Sequence, residues 1–268
     1  MSFFVEEEGV INNSRYVIKI PHLLLKGRKV VIGCRGWAYR GEYRRGLHRH
    51  LDSIGNMIAD YGYYWASTDY GSGGYPLRKG LKSLSLLIDL LRRKHSIEKI
   101  ALFGVSMGGN IALLYAMEHP EDVDCIVNVY GVVDLIEQVK HVVSKLMATP
   151  LYVTTVEWSD VKTALKFLSD LKEELGGHPL LLRFNENYVK FSPLRRAAEL
   201  TKPILIVHGE CDNIVPINMS RMFVSELLRS GKKKLVKGFL RVKCGGHDER
   251  TIAVAMRSIL NFLDKHLT

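Results

Sequence analysis

The hydrophobic pattern of the chain alternates between short apolar runs and longer segments in which apolar residues recur at helical spacing. The short runs are typical of buried strands. They predict strands at residues 29–32, 63–68, 99–103, 125–129, 204–207 and 234–242. Residues 6–9 and 14–20 are predicted to form an N-terminal hairpin around the turn residues Asn12-Asn13. The longer segments predict helices at residues 47–61, 77–93, 110–116, 218–229 and 249–265. Strands that alternate with helices indicate an α/β fold with a mostly parallel, doubly wound central sheet flanked by helices.

One long interval interrupts this alternation. Residues 134–196 contain helical stretches at 135–147 and 161–175, with no strong strand pattern between them. Such an interval is too long for a connecting loop. We therefore predict a core made of residues 1–133 and 197–268, with residues 134–196 as a helical cap insertion over a site at the end of the strands. The alternative is that the insertion packs on an edge of the sheet and adds only stability.

A glycine-rich turn lies between the strand predicted at residues 99–103 and the helix that follows it. The pentapeptide Gly104-Val105-Ser106-Met107-Gly108 has the G-x-S-x-G spacing of a nucleophile elbow, a tight turn that presents a serine side chain. Gly104 and Gly108 provide the clearance that such a turn needs. A plain glycine-rich turn is the alternative, but the flanking strand and helix supply the context that the motif requires. We therefore interpret Ser106 as a catalytic nucleophile.

A serine nucleophile requires a base, and the base requires a carboxylate that orients it. His247 follows the last predicted strand, at the carboxyl edge of the sheet where the elbow also lies. Asp212 follows the preceding predicted strand, so the order along the chain is serine, acid, histidine. His208 is expected to be structural. Glu210 and Asp134 are alternative candidates for the acid, but we expect Glu210 to belong to the turn itself and Asp134 to cap the first helix of the insertion.

Composition and charge favour a globular protein and argue against a membrane-spanning or nucleic-acid-binding one. The chain is 47% apolar and 25% charged, as is usual for a globular protein with a sizeable core. No apolar run reaches the roughly 18 residues that span a bilayer. Residues 6–8 are acidic where a secretory signal would be basic, so we expect a cytoplasmic protein. The net charge of +10 includes a basic cluster at residues 40–50, which we interpret as a solvated helix face because no nucleic-acid-binding module accompanies it.

The four cysteines are Cys34, Cys125, Cys211 and Cys244. They show no C-x-x-C spacing, so no metal site is predicted. Reduced thiols are the expectation for a cytosolic protein. Cys211 and Cys244 fall near the ends of the last two predicted strands, which leaves a disulfide between them as an alternative.

Several motifs along the chain match a known family. They are Gly104-Val105-Ser106-Met107-Gly108-Gly109, His119-Pro120, Ser192-Pro193-Leu194, the run at residues 203–216 and Gly246-His247. From about residue 30 to the C-terminus, the chain resembles α/β-hydrolases, in particular single-domain serine esterases similar to the prolyl oligopeptidase-type catalytic domain. The resemblance implies hydrolysis of carboxylic esters through an acyl-enzyme on Ser106, with Asp212 and His247 as partners. It implies no cofactor and no metal.

Two other functions stay open beside the esterase. A short-peptide or acylaminoacyl hydrolase would use the same three residues, but those relatives typically carry an extra N-terminal domain that this chain does not show. A non-catalytic binding protein of the same fold would normally have lost part of the triad, and all three members are present. We expect a small-molecule ester as the substrate, no nucleic-acid partner and no membrane span. The oligomeric state is not defined by the sequence.

The loop after the strand at residues 29–32 departs from the family pattern. In Gly33-Cys34-Arg35-Gly36-Trp37, Arg35 stands where the family usually has histidine. By resemblance, the backbone N–H groups of Trp37 and Met107 are expected to form the oxyanion hole. Arg35 has two interpretations. Its side chain replaces the structural contacts of the histidine, or it reaches the substrate pocket and favours an anionic group.

The glycine-rich loop at residues 69–76 resembles the family's Asp-x-x-Gly-x-Gly segment. A phosphate-binding role is the alternative, since a helix follows the loop. However, the lysine and hydroxyl pair of a P-loop is missing. We therefore expect a structural loop near the site, with Tyr70 and Tyr75, together with Arg35, as candidate walls of the substrate pocket.

Overall fold

Eight strands form one sheet in the computed structural model, which describes residues 3–37, 49–71, 73–148 and 158–268. They are β1 (Phe4–Ile11), β2 (Ser14–Pro21), β3 (Lys29–Cys34), β4 (Tyr64–Thr68), β5 (Lys99–Val105), β6 (Cys125–Val129), β7 (Ile204–Gly209) and β8 (Val236–Val242). Their order across the sheet is β1-β2-β4-β3-β5-β6-β7-β8. The β1–β2 and β2–β4 pairs are antiparallel, and all pairs from β4 to β8 are parallel. The mostly parallel sheet predicted from the sequence is thereby confirmed.

The helices of the described residues cover both faces of this sheet. They are α1 (Arg49–Asp60), α2 (Leu77–His95), α3 (Met107–Glu118), α4 (Leu135–Ala148), α5 (Trp158–Leu175), α6 (Glu186–Lys190), α7 (Asn218–Arg229) and α8 (Glu249–His266). Val30 and Ile32 of β3 pack in one core layer with α2, α3 and α7, while Val31 packs in the other with α1 and α8. Burial on both faces explains why the central strands β3, β5, β6 and β7 appear in the sequence as nearly continuous apolar runs. Within the described chain, no helix is both long and apolar enough to cross a membrane.

The interval at residues 134–196 is helical in its described parts, 134–148 and 158–196. It leaves the sheet after β6, forms α4, α5 and α6, and returns before β7. Phe167 of α5 packs edge-on against Trp37, with ring centroids 5.9 Å apart, and against Tyr75 at 5.7 Å. The insertion therefore contacts the loops that follow β3 and β4, at the carboxyl ends of two parallel strands. Its role as a cap stays a prediction.

The first turn of α3 crosses the end of β3 at very short range. The sequence pattern predicts this helix from residue 110, but it begins at Met107, because Gly108 and Gly109 are poor helix formers and conceal the start. These glycines are needed for the close approach. A Cβ on Gly109 would lie 2.6 Å from the Cα of Gly131, and one on Gly108 would overlap the backbone of Cys34.

We expect Gly108→Ala to lower the free energy of unfolding by about 3 kcal/mol or more, because the added methyl group meets backbone that has no freedom to move aside. Urea unfolding measures the change. The control is Gly27→Ala, where a Cβ meets no atom within 4 Å and only the positive φ of 71° opposes substitution, at a cost of about 1 kcal/mol. Equal losses for the two variants would contradict the tight crossing of β3 and α3.

Candidate active site

Ser106 sits at the apex of the turn between β5 and α3 in a strained backbone conformation. Its φ is 56° and its ψ is −120°, a region that costs a non-glycine residue about 1–3 kcal/mol. The turn is held by three hydrogen bonds: Ser106 N donates to Val129 O at 3.1 Å, and Ser106 O accepts from Gly109 N at 2.9 Å and Val132 N at 3.1 Å. In the whole stretch 100–117, Ser106 alone is not buried. The strain therefore brings one hydroxyl to the surface of an otherwise closed core.

His247 and Asp212 form a direct pair on neighbouring loops. His247 follows β8 and Asp212 follows β7. The Nδ1 of His247 lies 2.7 Å from the Oδ2 of Asp212. Because the ionised carboxylate only accepts, the proton resides on Nδ1 and leaves Nε2 as the basic nitrogen. The other carboxylate oxygen, Oδ1, accepts from the backbone N–H groups of Ile214 and Val215, both at 2.9 Å.

The electrostatics of this loop favour an ionised Asp212. Burial raises the pKa of the carboxyl, but the hydrogen bonds from His208 and His247, with the backbone N–H of Val215, more than offset this effect. The pKa of Asp212 therefore lies well below its usual range. A carboxylate that stays ionised accepts the imidazole N–H and stabilises a positive charge on His247.

His208 supports Asp212. The sequence predicts only a structural role for this histidine and does not connect it with the acid. It is fully buried at the end of β7, and its Nε2 lies 2.8 Å from Val215 O and 3.4 Å from Oδ2 of Asp212. Since a carbonyl only accepts, Nε2 carries the proton, and Nδ1 accepts from the Ser220 hydroxyl at 2.7 Å. The ring therefore links the acid-bearing loop to α7. In the sequence, only the position of His208, four residues before the acid, indicates this supporting role.

One segment connects the serine turn with the histidine loop. Val129, at the end of β6, accepts the N–H of Ser106. The next residue, Tyr130, has a φ of 36° and places its ring 4.3 Å from that of His247. The structure thus brings Ser106, His247 and Asp212 to the same edge of the sheet, where the carboxyl ends of β5, β7 and β8 meet.

The loop after β3 lies directly against the nucleophile turn. A Cβ built on Gly36 would lie 3.4 Å from the Cβ of Ser106, so the Gly36-Trp37 backbone passes beside the serine. Met107 is the first residue of α3, and N–H groups in a first helical turn have no acceptor within the helix. The two N–H groups that the family resemblance implies for the oxyanion hole therefore both lie near Ser106. Met107 follows it in the chain, and the Gly36-Trp37 backbone lies beside it in space.

Arg35 points away from solvent and holds the loop after β4. Its side chain is 1% exposed. Its Nε and Nη2 donate to Asp69 O at 3.2 and 2.8 Å, and its Nη1 donates to Gly36 O at 3.0 Å. The guanidinium also stacks on the Tyr70 ring, 4.5 Å from the centroid. These contacts favour the structural interpretation of Arg35 over a role in binding an anion.

The remaining candidates occupy well-defined places. Tyr70 and Tyr75 are both buried, the first beneath Arg35 and the second against Phe167, so their role as pocket walls stays a prediction. Asp134 caps α4: its Oδ1 accepts from Ile136 N and Glu137 N, and its Oδ2 pairs with Arg195 at 2.8 Å. The alternative acid thus serves the helix, as predicted.

Two further expectations concern thiols and charge. Cys211 and Cys244 are free and exposed, on loops that meet where Cys211 N donates to Gly245 O at 2.8 Å. The alternative of a disulfide is therefore not realised in this structure. Most of the basic cluster at residues 40–50 lies outside the described residues.

The depressed pKa of Asp212 predicts how stability depends on pH. In the unfolded chain the carboxyl has its usual pKa near 3.9, whereas in the fold the pKa is lower. The stabilisation from this group is therefore complete above about pH 4 and is lost as the pH falls further. We expect the free-energy difference between the wild type and Asp212→Asn, measured by urea unfolding, to shrink as the pH falls from about 4 to about 2, where the unfolded carboxyl protonates while the folded one stays ionised. A difference that stays constant over this range would contradict the depressed pKa.

Comparisons with known proteins identify a family and several similar folds. The sequence profile of the prolyl oligopeptidase family matches residues 60–268. Esterase LipC of Mycobacterium tuberculosis is 28% identical over 163 residues, which cover 55% of this chain and 34% of that protein. The structure is similar to an acylaminoacyl peptidase of Pyrococcus horikoshii, with a TM-score of 0.70, 20% identity, and coverage of 99% of this chain and 42% of the peptidase. It is also similar to an esterase of Pyrococcus furiosus, with a TM-score of 0.66 and 17% identity. This match covers 99% of this chain and 92% of the esterase.

These likenesses differ in how much of each relative the chain covers. The chain spans about a third of the LipC sequence and less than half of the acylaminoacyl peptidase, but nearly the whole of the Pyrococcus furiosus esterase. At identities of 20% and below, the structural likenesses show the α/β-hydrolase fold, which confirms the fold class predicted from the sequence.

Proposed function

The chain belongs to the prolyl oligopeptidase family of serine hydrolases, and we propose that it cleaves carboxylic esters through an acyl-enzyme on Ser106. One observation carries the proposal. The Asp212–His247 pair, at 2.7 Å, lies at the same sheet edge as the strained and accessible Ser106. A serine, a buried carboxylate and a histidine, in this order along the chain, are the components of a catalytic triad.

The proposed reaction uses the triad twice. Nε2 of His247 takes the proton of the Ser106 hydroxyl as its oxygen attacks the ester carbonyl, and it then gives the proton to the departing alcohol. In the second half, the same nitrogen takes a proton from water as the water oxygen attacks the acyl-enzyme. It then returns that proton to the Ser106 oxygen as the bond between this oxygen and the acyl group breaks and the carboxylic acid leaves. Asp212 stabilises the positive imidazolium in both halves. These steps require no cofactor.

The negative charge that develops on the carbonyl oxygen needs donors beside Ser106. We assign these donors to the backbone N–H groups of Met107 and Trp37. Met107 begins α3, where the helix dipole also favours negative charge. Trp37 follows Gly36, which lies so close to the serine that an added Cβ would be 3.4 Å from the Cβ of Ser106. Fixed donors of this kind contribute about 10²–10³ each to turnover.

A peptidase is the second candidate. Its support is the family assignment together with the acylaminoacyl peptidase fold at a TM-score of 0.70. Support for the esterase comes from LipC and from the Pyrococcus furiosus esterase, which matches this chain over nearly its whole length. An ester also makes a smaller demand on His247, because an alcohol leaves more readily than an amine.

Paired substrates distinguish the two reactions. We expect a series of p-nitrophenyl esters to be cleaved with a higher kcat/KM than aminoacyl and N-acylaminoacyl p-nitroanilides with the same acyl groups. Ser106→Ala, assayed in parallel, removes the contribution of contaminating hydrolases. Anilides cleaved better than every ester would establish the peptidase. Turnover of neither series, in a protein that fails to react with a fluorophosphonate, would indicate a binding protein.

The helical insertion is proposed to act as a cap. Phe167 of α5 packs on Trp37, whose backbone is the proposed oxyanion donor, and on Tyr75. Insertions that cover a site commonly shape the substrate pocket. Residues of α4 and α5 are therefore the positions at which we expect acyl-chain preference to be determined.

A further inference from the structure

We propose that Asp170, in the helical insertion, positions the oxyanion donor Trp37 and thereby sets the turnover rate. The inference rests on the proposed function, because it concerns how one of its donors is held. Asp170 is the residue of α5 that links the insertion by hydrogen bonding to the loop beside Ser106. We assign it as a positioning residue, which acts through Trp37 and does not touch the substrate.

The contact consists of a single charge-assisted hydrogen bond to the indole. Nε1 of Trp37 donates to Oδ2 of Asp170 at 2.8 Å. The carboxylate is 5% exposed, and its other oxygen pairs with Lys166 one helical turn earlier. A hydrogen bond to an ionised group is about twice as strong as one between neutral groups, and burial strengthens it further. The indole is therefore tied at its polar end to a rigid helix.

Aromatic packing fixes the rest of the ring. Phe167, three residues before Asp170 and hence on the same face of α5, meets the indole at an interplanar angle of 89°. The same phenyl ring packs against Tyr75 at 73°. Gly74 beside it leaves room for the carboxylate, because a Cβ there would lie 3.2 Å from Cγ of Asp170. Two fixed contacts thus define both the tilt and the position of the Trp37 ring.

Holding the ring matters because the preceding residue does not restrain the backbone. Gly36 has no side chain and permits many backbone conformations. The peptide that carries the Trp37 N–H begins at Gly36, and its carbonyl oxygen accepts from Nη1 of Arg35 at 3.0 Å. Arg35 therefore restrains the carbonyl side of this peptide, and the contacts of the tryptophan restrain the N–H side. An error of about 1 Å in the position of a catalytic group can cost about 10²-fold in rate. Loss of the Asp170 bond should therefore appear in turnover.

Two variants break the bond from opposite sides. Asp170→Leu removes the acceptor, and Trp37→Phe removes the donor while keeping an aromatic ring against Phe167. We expect each to lower kcat by about 10- to 100-fold with little change in KM. The double variant should be no slower than the slower single variant, because both changes remove the same interaction. Asp170→Asn keeps an acceptor and should recover most of the lost kcat.

Two controls separate positioning from general stability. Lys172→Met replaces an exposed lysine in the last turn of α5 and leaves Asp170, Lys166 and Trp37 in place, so its kcat should stay within about twofold of the wild type. Rates are expressed per active site titrated with a fluorophosphonate, so that unfolded protein does not contribute. A trifluoromethyl ketone, which forms a tetrahedral oxyanion on the serine, should bind more weakly to Asp170→Leu by the same factor as the loss of kcat/KM.

The outcomes distinguish this inference from the proposed function. If Ser106→Ala retains activity, the proposed function itself fails. If Ser106→Ala is inactive while Asp170→Leu and Trp37→Phe turn over at the wild-type rate per titrated site, the positioning role alone is overturned. Fully additive losses in the double variant would also overturn it, as would unchanged affinity for the trifluoromethyl ketone.

Discussion

Ser106→Ala is expected to lower kcat for ester hydrolysis by about 10⁶, because the triad acts as a unit and nothing replaces the nucleophile. The methyl side chain fits the strained turn, since alanine and serine differ only in the hydroxyl. Thermal and urea stability should therefore stay close to those of the wild type. Residual activity of about 10³-fold over water would be attributable to the oxyanion donors and substrate binding. Steady-state assays with a p-nitrophenyl ester measure the loss.

The matched control is Ser230→Ala, at the C-terminal end of α7, where a partly buried serine takes no part in the proposed site. Its kcat should remain within about twofold of the wild type. A wild-type rate for Ser106→Ala, after purification away from host esterases, would remove Ser106 from the mechanism. The Gly104–Gly108 motif would then be a structural turn.

Asp212→Asn is expected to lower kcat by about 10⁴. The amide still accepts the N–H groups of Ile214 and Val215 through its oxygen, so the loop is preserved. Its NH₂ group then faces Nδ1 of His247 and donates where the carboxylate accepted. The imidazole proton moves to Nε2, and the nitrogen that should act as the base toward Ser106 is no longer basic.

The comparison for this variant is Asp134→Asn, which also removes a buried carboxylate. Asp134 lies in the insertion, caps α4 and pairs with Arg195. Its variant should be less stable but should turn over at nearly the wild-type rate per titrated site. If Asp134→Asn were the slower variant, the assignment of the acid to Asp212 would be wrong.

The sequence predicts the core of this fold well because its signals are local. Parallel strands such as β6 are buried on both faces and read as apolar runs, and α7 spans the same residues, 218–229, that the helical pattern predicts. The start of α3 is missed for a physical reason. Gly108 and Gly109 lower helix propensity, yet Gly108 is required where the helix crosses the end of β3, and Gly109 where it approaches Gly131 after β6.

The site is only partly readable from the sequence. Ser106, His247 and Asp212 can be nominated because a motif and the chain order identify them. The contacts that hold them link residues far apart in the chain, and no periodicity reports such pairs. The bond from Trp37 to Asp170 spans 133 positions, and the bonds from Arg35 to Asp69 span 34. The support that His208 gives to Asp212 depends on a loop conformation that the sequence does not define.

The most direct test of the acyl-enzyme is intact-protein mass spectrometry during the pre-steady state. Wild-type protein mixed with an excess of a p-nitrophenyl ester, then quenched in acid, should gain the mass of one acyl group. Peptide mapping should place that group on the hydroxyl of Ser106, and Ser106→Ala should gain none. An acyl group on another residue, or the same adduct in Ser106→Ala, would contradict the account.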